Sequence, residues 1–374
     1  MADGLRVALD ATPLIGRPTG VGAFCAGVLD GLSRRADVAA SVFAVSWRRR
    51  HAIDGRVPNG VALARRAMPA RPLHASWRRA EWPPLERFVG PVDVVHGTNY
   101  VVPPTRRAAR VVTVHDLTTV RYPELCDRAT LAYPNLVRRA LARGAWVHTH
   151  SKSVAEEVVE VFRADPSRVR PVASGVPPLP PPDEDAPSRY LRPGMARYVL
   201  AVGTAEPRKD LPGLVAAFDL LAQDRADLGL VLAGPAGWGS AALEGALDAA
   251  RARARVVRTG WVDAATLSGL IRGAAVLVYP SLYEGFGYPP LQAMSAGTPV
   301  VATRAGALGE VLDGGALLVE PRDRDALAEA IASVVDSHRT AADLSARGLA
   351  RAAVFDWDTC AQGLVDLYRA AAGK

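Results

Sequence analysis

Glu284 stands directly before Gly285, Phe286 and Gly287 in the stretch "YEGFGYPPLQAMSAGTPVVAT", and Pro289 and Pro290 follow after Tyr288. A carboxylate accepts hydrogen bonds from hydroxyl groups, and glycines let backbone amides come close to an anion. Prolines at the start of a helix lack only amides that the first turn leaves unpaired, so a helix is expected just after the acid. An acidic side chain and a helix N-terminus then share one small space, the first suited to sugar hydroxyls and the second to a phosphate. Upstream, "AVGTAEPRKDLPGLVAAF" places Arg208 and Lys209 in a loop, with Asp210 set to cap the helix that follows. Two adjacent cations can neutralise a diphosphate leaving group. The alternative is a solvated basic turn.

Two weaker constellations lie in the first half of the chain. "VTVHDLTTVRYP" puts His115 and Asp116 at the end of an apolar run, where they could form an acid/base site, a clamp for a polar substrate, or a structural contact. "DATPLIGRPTGVGAF" surrounds a helix entrance with Gly16, Gly20 and Gly22, which suits a phosphate or a plain turn. The spacing is not the G-x-G-x-x-G of dinucleotide enzymes, which argues against NAD.

The elements that must position these residues are legible as short apolar runs alternating with helical patterns, the signature of parallel sheets covered by helices. Strands are expected at 5–9, 41–45, 93–96, 110–115, 146–150 and 169–173, with helices at 21–34, 127–143 and 151–163. Ser151 is placed to cap the last of these helices. Six prolines between Pro177 and Pro187 then interrupt the periodicity, giving a stiff, extended connector. The alternation restarts with strands at 197–203, 228–234, 255–260, 275–280, 299–303 and 316–320, and with helices at 210–223, 240–252, 263–272 and about 289–296; three more helices follow. The expected organisation is an α/β chain: a domain over 1–176, a linker over 177–196, a domain over 197–355, and a last helix at about 356–374. Open α/β sheets place ligand sites at the carboxyl ends of their strands, so a cleft between two facing domains is the expected seat of chemistry.

Bulk properties narrow the class further. At 374 residues, two domains are the natural division. Cys25, Cys126 and Cys360 lie far apart and show no C-x-x-C spacing, which suits a reducing compartment and points to the cytoplasm. The N-terminus lacks the pattern of a signal peptide, and no run approaches the roughly 18 apolar residues of a spanning helix. The net charge of +7 comes from one window, Ser46 to Arg87, where ten Arg face Asp54, Glu81 and Glu86; Trp47, Trp77 and Trp82 lie among them. Such a window fits peripheral contact with the inner face of an anionic membrane or with a lipid phosphate better than nucleic acid. A solvated surface is the plain alternative.

Taken together, "TGVG", "VHDL", "GTAEPRKD", "EGFGYPPLQAMSAGTPVV" and the terminal "FDWDTCAQGLVDLY" resemble the retaining GT-B glycosyltransferases of family 4, in their mannosyltransferase-like branch. The resemblance covers nearly the whole chain, although its specific motifs lie mostly in the second half. It implies two Rossmann-like domains facing a central cleft, with a C-terminal helix returning to the first. It also implies that Glu284 contacts the donor sugar and that Gly285, Phe286, Gly287 and Tyr288 bind sugar and phosphate. Arg208 and Lys209, with Gly203 ahead of them, hold the diphosphate; Gly20 to Gly22 approach the phosphates; His115 sits near the sugar, and Asp116 and Ser151 lie toward the acceptor. The family's second Glu, which binds ribose hydroxyls, is here Gln292, a departure that bears on donor affinity.

The implied reaction moves a hexose, mannose from GDP-mannose first among candidates, from a nucleotide-diphosphate sugar to a glycan or lipid-linked acceptor. No cofactor and no metal are implied, and the one D-x-D string, Asp183 to Asp185, lies in the Pro-rich connector. Two alternatives stand beside this reading: a nucleotide-sugar epimerase or hydrolase on the same architecture, and a binding protein without turnover.

Overall fold

The protein is described by a computed structural model over residues 4–16, 19–128 and 130–374. Arg17 and Pro18 of the glycine loop, Ala129 of the expected helix 127–143, and the first three residues lie outside the described residues. The chain divides into two compact units, one of Met1–Arg121, Arg128–Pro177 and Phe355–Lys374, the other of Tyr122–Asp127 and Pro178–Val354.

The first unit is built on β1 (Leu5–Asp10), β2 (Val38–Phe43), β3 (Ala62–Leu63), β4 (Val94–Gly97), β5 (Ala109–Val114), β6 (Trp146–Thr149) and β7 (Val169–Pro171). These pair in the order β3-β2-β1-β4-β5-β6-β7, every pair parallel. Its helices are α1 (Gly20–Ser33), α2 (Ala70–Ala80), α3 (Glu86–Val89), α4 (Thr118–Arg121), α5 (Tyr133–Ala142) and α6 (Lys152–Phe162). Caps fall where short polar side chains precede the helical pattern: Thr19 Oγ1 accepts from Gly22 N at 3.1 Å, and Ser151 Oγ from Val154 N at 3.2 Å.

The second unit opens with α7 (Ala186–Tyr190), inside the stretch expected to be extended. Asp183 explains the helix: its backbone amide donates to Ala265 O, and its carboxylate pairs with Arg189 on α7. The strands are β8 (Arg197–Val202), β9 (Leu228–Ala233), β10 (Val256–Gly260), β11 (Val276–Tyr279), β12 (Val300–Thr303) and β13 (Leu317–Val319). They form a second parallel sheet in the order β10-β9-β8-β11-β12-β13. The helices are α8 (Leu211–Leu221), α9 (Ser240–Ala249), α10 (Ala264–Gly273), α11 (Tyr288–Ser295), α12 (Leu308–Val311), α13 (Arg324–Val335) and α14 (His338–Ala352). Strands such as β9 and β12 are buried along their whole length. Helices cover both faces of a parallel sheet, which is why these strands read as continuous apolar runs.

The last helix, α15 (Trp357–Ala372), belongs to the first unit. Asp356 Oδ1 caps it, accepting from Asp358 N and Thr359 N at 2.9 and 2.8 Å. A Cβ on Gly27 of α1 would collide with the Trp357 ring, and one on Gly31 would lie 2.8 Å from Trp357 O. Two glycines one turn apart therefore let the helices approach closely.

Candidate active site

β8 and β11 are neighbours in the second sheet although β9 and β10 intervene in the chain, so the strand order reverses between them. The connections leaving two such strands diverge, and the gap at their carboxyl ends is where an open α/β sheet takes a ligand. The turn Pro207–Lys209 follows β8, and the loop carrying Glu284 follows β11. Glu284 Oε1 lies 2.6 Å from Lys209 Nζ and 2.7 Å from Arg208 Nη1, and it accepts from Ser281 Oγ at 2.8 Å. Oε2 takes part in none of these bonds. Lys209 Nζ also donates to the Tyr279 hydroxyl and sits 4.5 Å from the centre of that ring. Arg208 donates to Tyr283 O at 2.9 Å and to Glu206 Oε2 at 3.4 Å.

Glu284 is only 6% exposed, a depth at which a carboxylate must be paired. Burial raises its pKa, but the Arg208 and Lys209 charges outweigh that effect and hold the carboxyl at about 2. Burial draws the Lys209 ammonium downward, and Glu284 pulls the other way. Burial lifts the Tyr279 phenol well above its usual value, so it remains protonated beside the pair.

The backbone around Glu284 is braced from two sides. Leu282 N donates to Arg208 O at 2.8 Å, joining the two loops directly. From the end of β12, Thr303 Oγ1 donates to Ser281 O, and Ala307 N donates to Glu284 O at 2.8 Å. Gly306, at φ +56°, lies so close that a Cβ would collide with Glu284 O. Gly285, Phe286 and Gly287 are buried; Gly287, at φ +101°, turns the chain into α11, whose N-terminus carries Tyr288, Pro289 and Pro290 as the paired prolines predict. Phe286 and Tyr288 meet edge to face at 5.3 Å. Gln292 is half-buried in the second turn of α11. Gly203, at φ +150°, follows the last residue of β8 and lies beside the Lys209 stem.

In the first unit the structure places His115 in a network that its sequence neighbours do not announce. His96, His115, His148 and His150 surround Phe24, with ring centroids 4.7–6.4 Å from it. Two backbone carbonyls, which only accept, dictate the protonation. His115 Nε2 donates to Thr98 O at 2.9 Å, so its Nδ1 accepts from His150 Nε2 at 2.7 Å, and His150 Nδ1 accepts from Ser174 Oγ at 2.8 Å. His148 Nε2 donates to Val172 O at 3.0 Å, so its Nδ1 accepts from Thr113 Oγ1. Thr113 Oγ1 in turn accepts from His96 Nε2, and the Tyr368 hydroxyl donates to His96 Nδ1, both at 2.7 Å. Burial pushes His115 and His148 down to about 4 and holds His96 and His150 well below their usual value, so all four rings are neutral at pH 7.

Both His115 nitrogens are thus bonded inside the unit, and proton transfer through either would break one of these bonds. Asp116 Oδ1 accepts from Thr118 N at 2.9 Å, closing the turn after β5. Ser151 is 3% exposed and caps α6. Gly20 begins α1 exposed, whereas the Gly22 amide is already taken by Thr19. Sequence reasoning missed Tyr279, Ser281 and three of the histidines. A signal for the latter existed: "VVHG", "TVHD" and "VHTHS" each place histidine near the carboxyl end of one of three adjacent strands.

Residues 183–351 match the family "Glycosyl transferases group 1", and residues 18–178 match "Glycosyltransferase Family 4". The chain is 29% identical over 282 residues to the O-antigen chain mannosyltransferase B of Escherichia coli, covering 74% of each chain. It is 30% identical over 300 residues to a glycogen synthase of Mycobacterium tuberculosis, covering 75% of this chain and 69% of that one. Among solved structures, sucrose-phosphate synthase from Thermosynechococcus elongatus superimposes with a TM-score of 0.75 over 98% of both chains at 21% identity, a likeness of fold.

Proposed function

The chain belongs to the family 4 glycosyltransferases, built on the GT-B fold, and on that premise we propose that it transfers a hexose from a nucleotide-diphosphate sugar to a hydroxyl of a glycan or lipid-linked acceptor. Mannose from GDP-mannose is the first donor to test, a choice supported by the likeness to an O-antigen mannosyltransferase. The observation that carries the reading is the buried Glu284 carboxylate held by Arg208 and Lys209 where the second sheet reverses its strand order.

In this reading Glu284 stays ionised and turns Oε2 toward the sugar hydroxyls. The two cations, with the amides of residues 285–287, meet the charge that develops on the diphosphate as the C1–O bond breaks. The acceptor oxygen forms its bond to C1 on the face the diphosphate leaves, its proton passes to a diphosphate oxygen, and configuration is retained. The protein supplies position and charge rather than a carboxylate pair. Arg208 and Lys209 fill the charge-neutralising role for which other transferases use a metal, so turnover is expected without one. Peripheral attachment to an anionic membrane is part of the proposal, supported by Trp47 and Trp82, which are 63% and 56% exposed amid exposed arginines of the first unit.

A donor screen across GDP-, UDP-, ADP- and dTDP-sugars identifies the nucleotide and sugar. With that donor, Glu284→Ala or Lys209→Ala is expected to lower transfer by about 100-fold or more, while circular dichroism shows the fold intact. Near-normal transfer in both variants would overturn the assignment.

A further inference from the structure

We propose that Ser281 and Tyr279 are positioning residues: their hydroxyls lock the Glu284 carboxylate and the Lys209 ammonium into the single arrangement from which donor binding proceeds. The proposal rests on the glycosyltransferase reading and adds two residues to its site.

Three donors converge on one carboxylate oxygen, Glu284 Oε1: Lys209 Nζ, Arg208 Nη1 and Ser281 Oγ. The two cations belong to a loop on a different strand, so they alone would let the carboxylate rotate and exchange its oxygens. Ser281 lies three residues before Glu284 in the same loop and is fully buried. Its hydroxyl has a fixed origin, because Thr303 Oγ1 donates to its carbonyl from the neighbouring strand. With Oε1 engaged on three sides, the plane of the carboxylate is held in one orientation. Tyr279 performs the same service for the other partner. An ammonium on a four-carbon stem has three rotatable donors and many places to point. Here one proton goes to Oε1 and another to the Tyr279 hydroxyl, with the phenol ring 4.5 Å beneath the nitrogen. Neither residue is required to fill space in a way that Ala or Phe could not nearly match. What their hydroxyls add is direction, and a misplacement of reacting groups of about 1 Å can lower a rate about 100-fold.

The test uses the full chain and the donor found by the screen. Ser281→Ala is expected to lower kcat by about tenfold, with nucleoside-diphosphate affinity by calorimetry within about twofold of the parent and an unchanged melting temperature. Tyr279→Phe keeps the ring and removes the acceptor. It should lower kcat less, and it should move the alkaline limb of kcat/KM to lower pH, because the ammonium loses a partner for its charged form. A purely structural role would not move that limb. Parental kcat in both variants overturns the proposal and leaves the reading intact; so does a fall in kcat that comes only with lost stability and lost diphosphate affinity. If Ser281→Ala does not fold, the pH profile of Tyr279→Phe decides alone, an unmoved limb overturning the proposal. Undiminished transfer by Glu284→Ala and Lys209→Ala would instead sink the reading itself, and the proposal with it.

Discussion

At Gln292 the difference between an amide and a carboxylate is one acceptor oxygen and one charge. If the second turn of α11 faces the ribose, as the family resemblance implies, a carboxylate there would accept from two hydroxyls, whereas the amide accepts with one oxygen only. Gln292→Glu is therefore expected to tighten donor binding by about 1–2 kcal/mol, roughly five- to thirty-fold in Kd. Calorimetry measures this directly, and an unchanged Kd would show that the position does not meet the ribose. Glu284 makes a different prediction, one in pH. Its carboxyl is held at about 2 against a usual 4.5, so the stability it contributes is full above pH 4.5 and disappears only as pH falls through about 2. Any acid limb of kcat/KM between pH 4.5 and 7 must then come from another group and should persist in Glu284→Gln, whatever its residual rate. A limb that vanishes in that variant would contradict the ionised carboxylate.

One scale up, the histidines tie β4, β5 and β6 of the first unit to α1 and α15 through Phe24 and Tyr368, and the tie works only while the rings are neutral. His148 is fully buried and titrates near 4 in the fold against about 6.5 unfolded, so its share of stability is complete above pH 6.5 and is lost as pH falls toward 4. That share is roughly 3 kcal/mol, and His115 shows a similar displacement. Asp10 opposes them: burial raises it to about 6 from 3.8, so its contribution falls by roughly 3 kcal/mol as pH rises across that interval. Two or more imidazoles outweigh one carboxyl. Thermal melts between pH 7 and 4 should show the first unit losing stability steeply, and a flat profile would refute the assignment of neutral rings. The same network marks the limit of what the sequence discloses. Strand positions in both sheets are legible because parallel strands read as apolar runs. Residues 46–90 are not: β3 has two residues, and α2 offers the core only Leu73 and Trp77 between prolines and arginines. Glu284, Arg208 and Lys209 stand out by residue type and by their places after strands. Ser281 and Tyr279 become visible only when β8 is known to pair with β11, a neighbour relation that no local spacing encodes.

For the whole molecule the decisive quantity is charge placement. The net +7 arises in Ser46 to Arg87, and the structure shows how that excess is displayed on the first unit. Trp77, expected among the surface tryptophans, instead points inward, with its Nε1 donating to Pro83 O at 2.9 Å. Trp47 and Trp82 remain outside, Arg87 lies over the Trp82 ring, and Arg48, Arg49, Arg65, Arg66, Arg71, Arg78 and Arg79 are exposed as well. Some of this charge is internally used, since Arg66 donates to Arg87 O and Arg65 lies 3.6 Å from Asp54. Among the described residues no helix is long and apolar enough to cross a membrane, so any attachment through this face is electrostatic with interfacial aromatic anchors. Each arginine near an anionic surface contributes about 1 kcal/mol, and the attraction decays over a Debye length of about 10 Å at 0.1 M salt. Vesicles containing phosphatidylglycerol should therefore sediment the protein at low ionic strength and release it as salt is raised, whereas phosphatidylcholine vesicles should not bind it. Exchanging Arg48, Arg49 and Arg71 for Glu should abolish sedimentation without altering the melting temperature, because all three are exposed and none is drawn into an ion pair described above. Trp47→Ala with Trp82→Ala should weaken binding while leaving its salt dependence in place, which separates the aromatic contribution from the charge. No sedimentation at low salt would leave these arginines as a solvated surface and confine the protein's lipid contact, if any, to its acceptor.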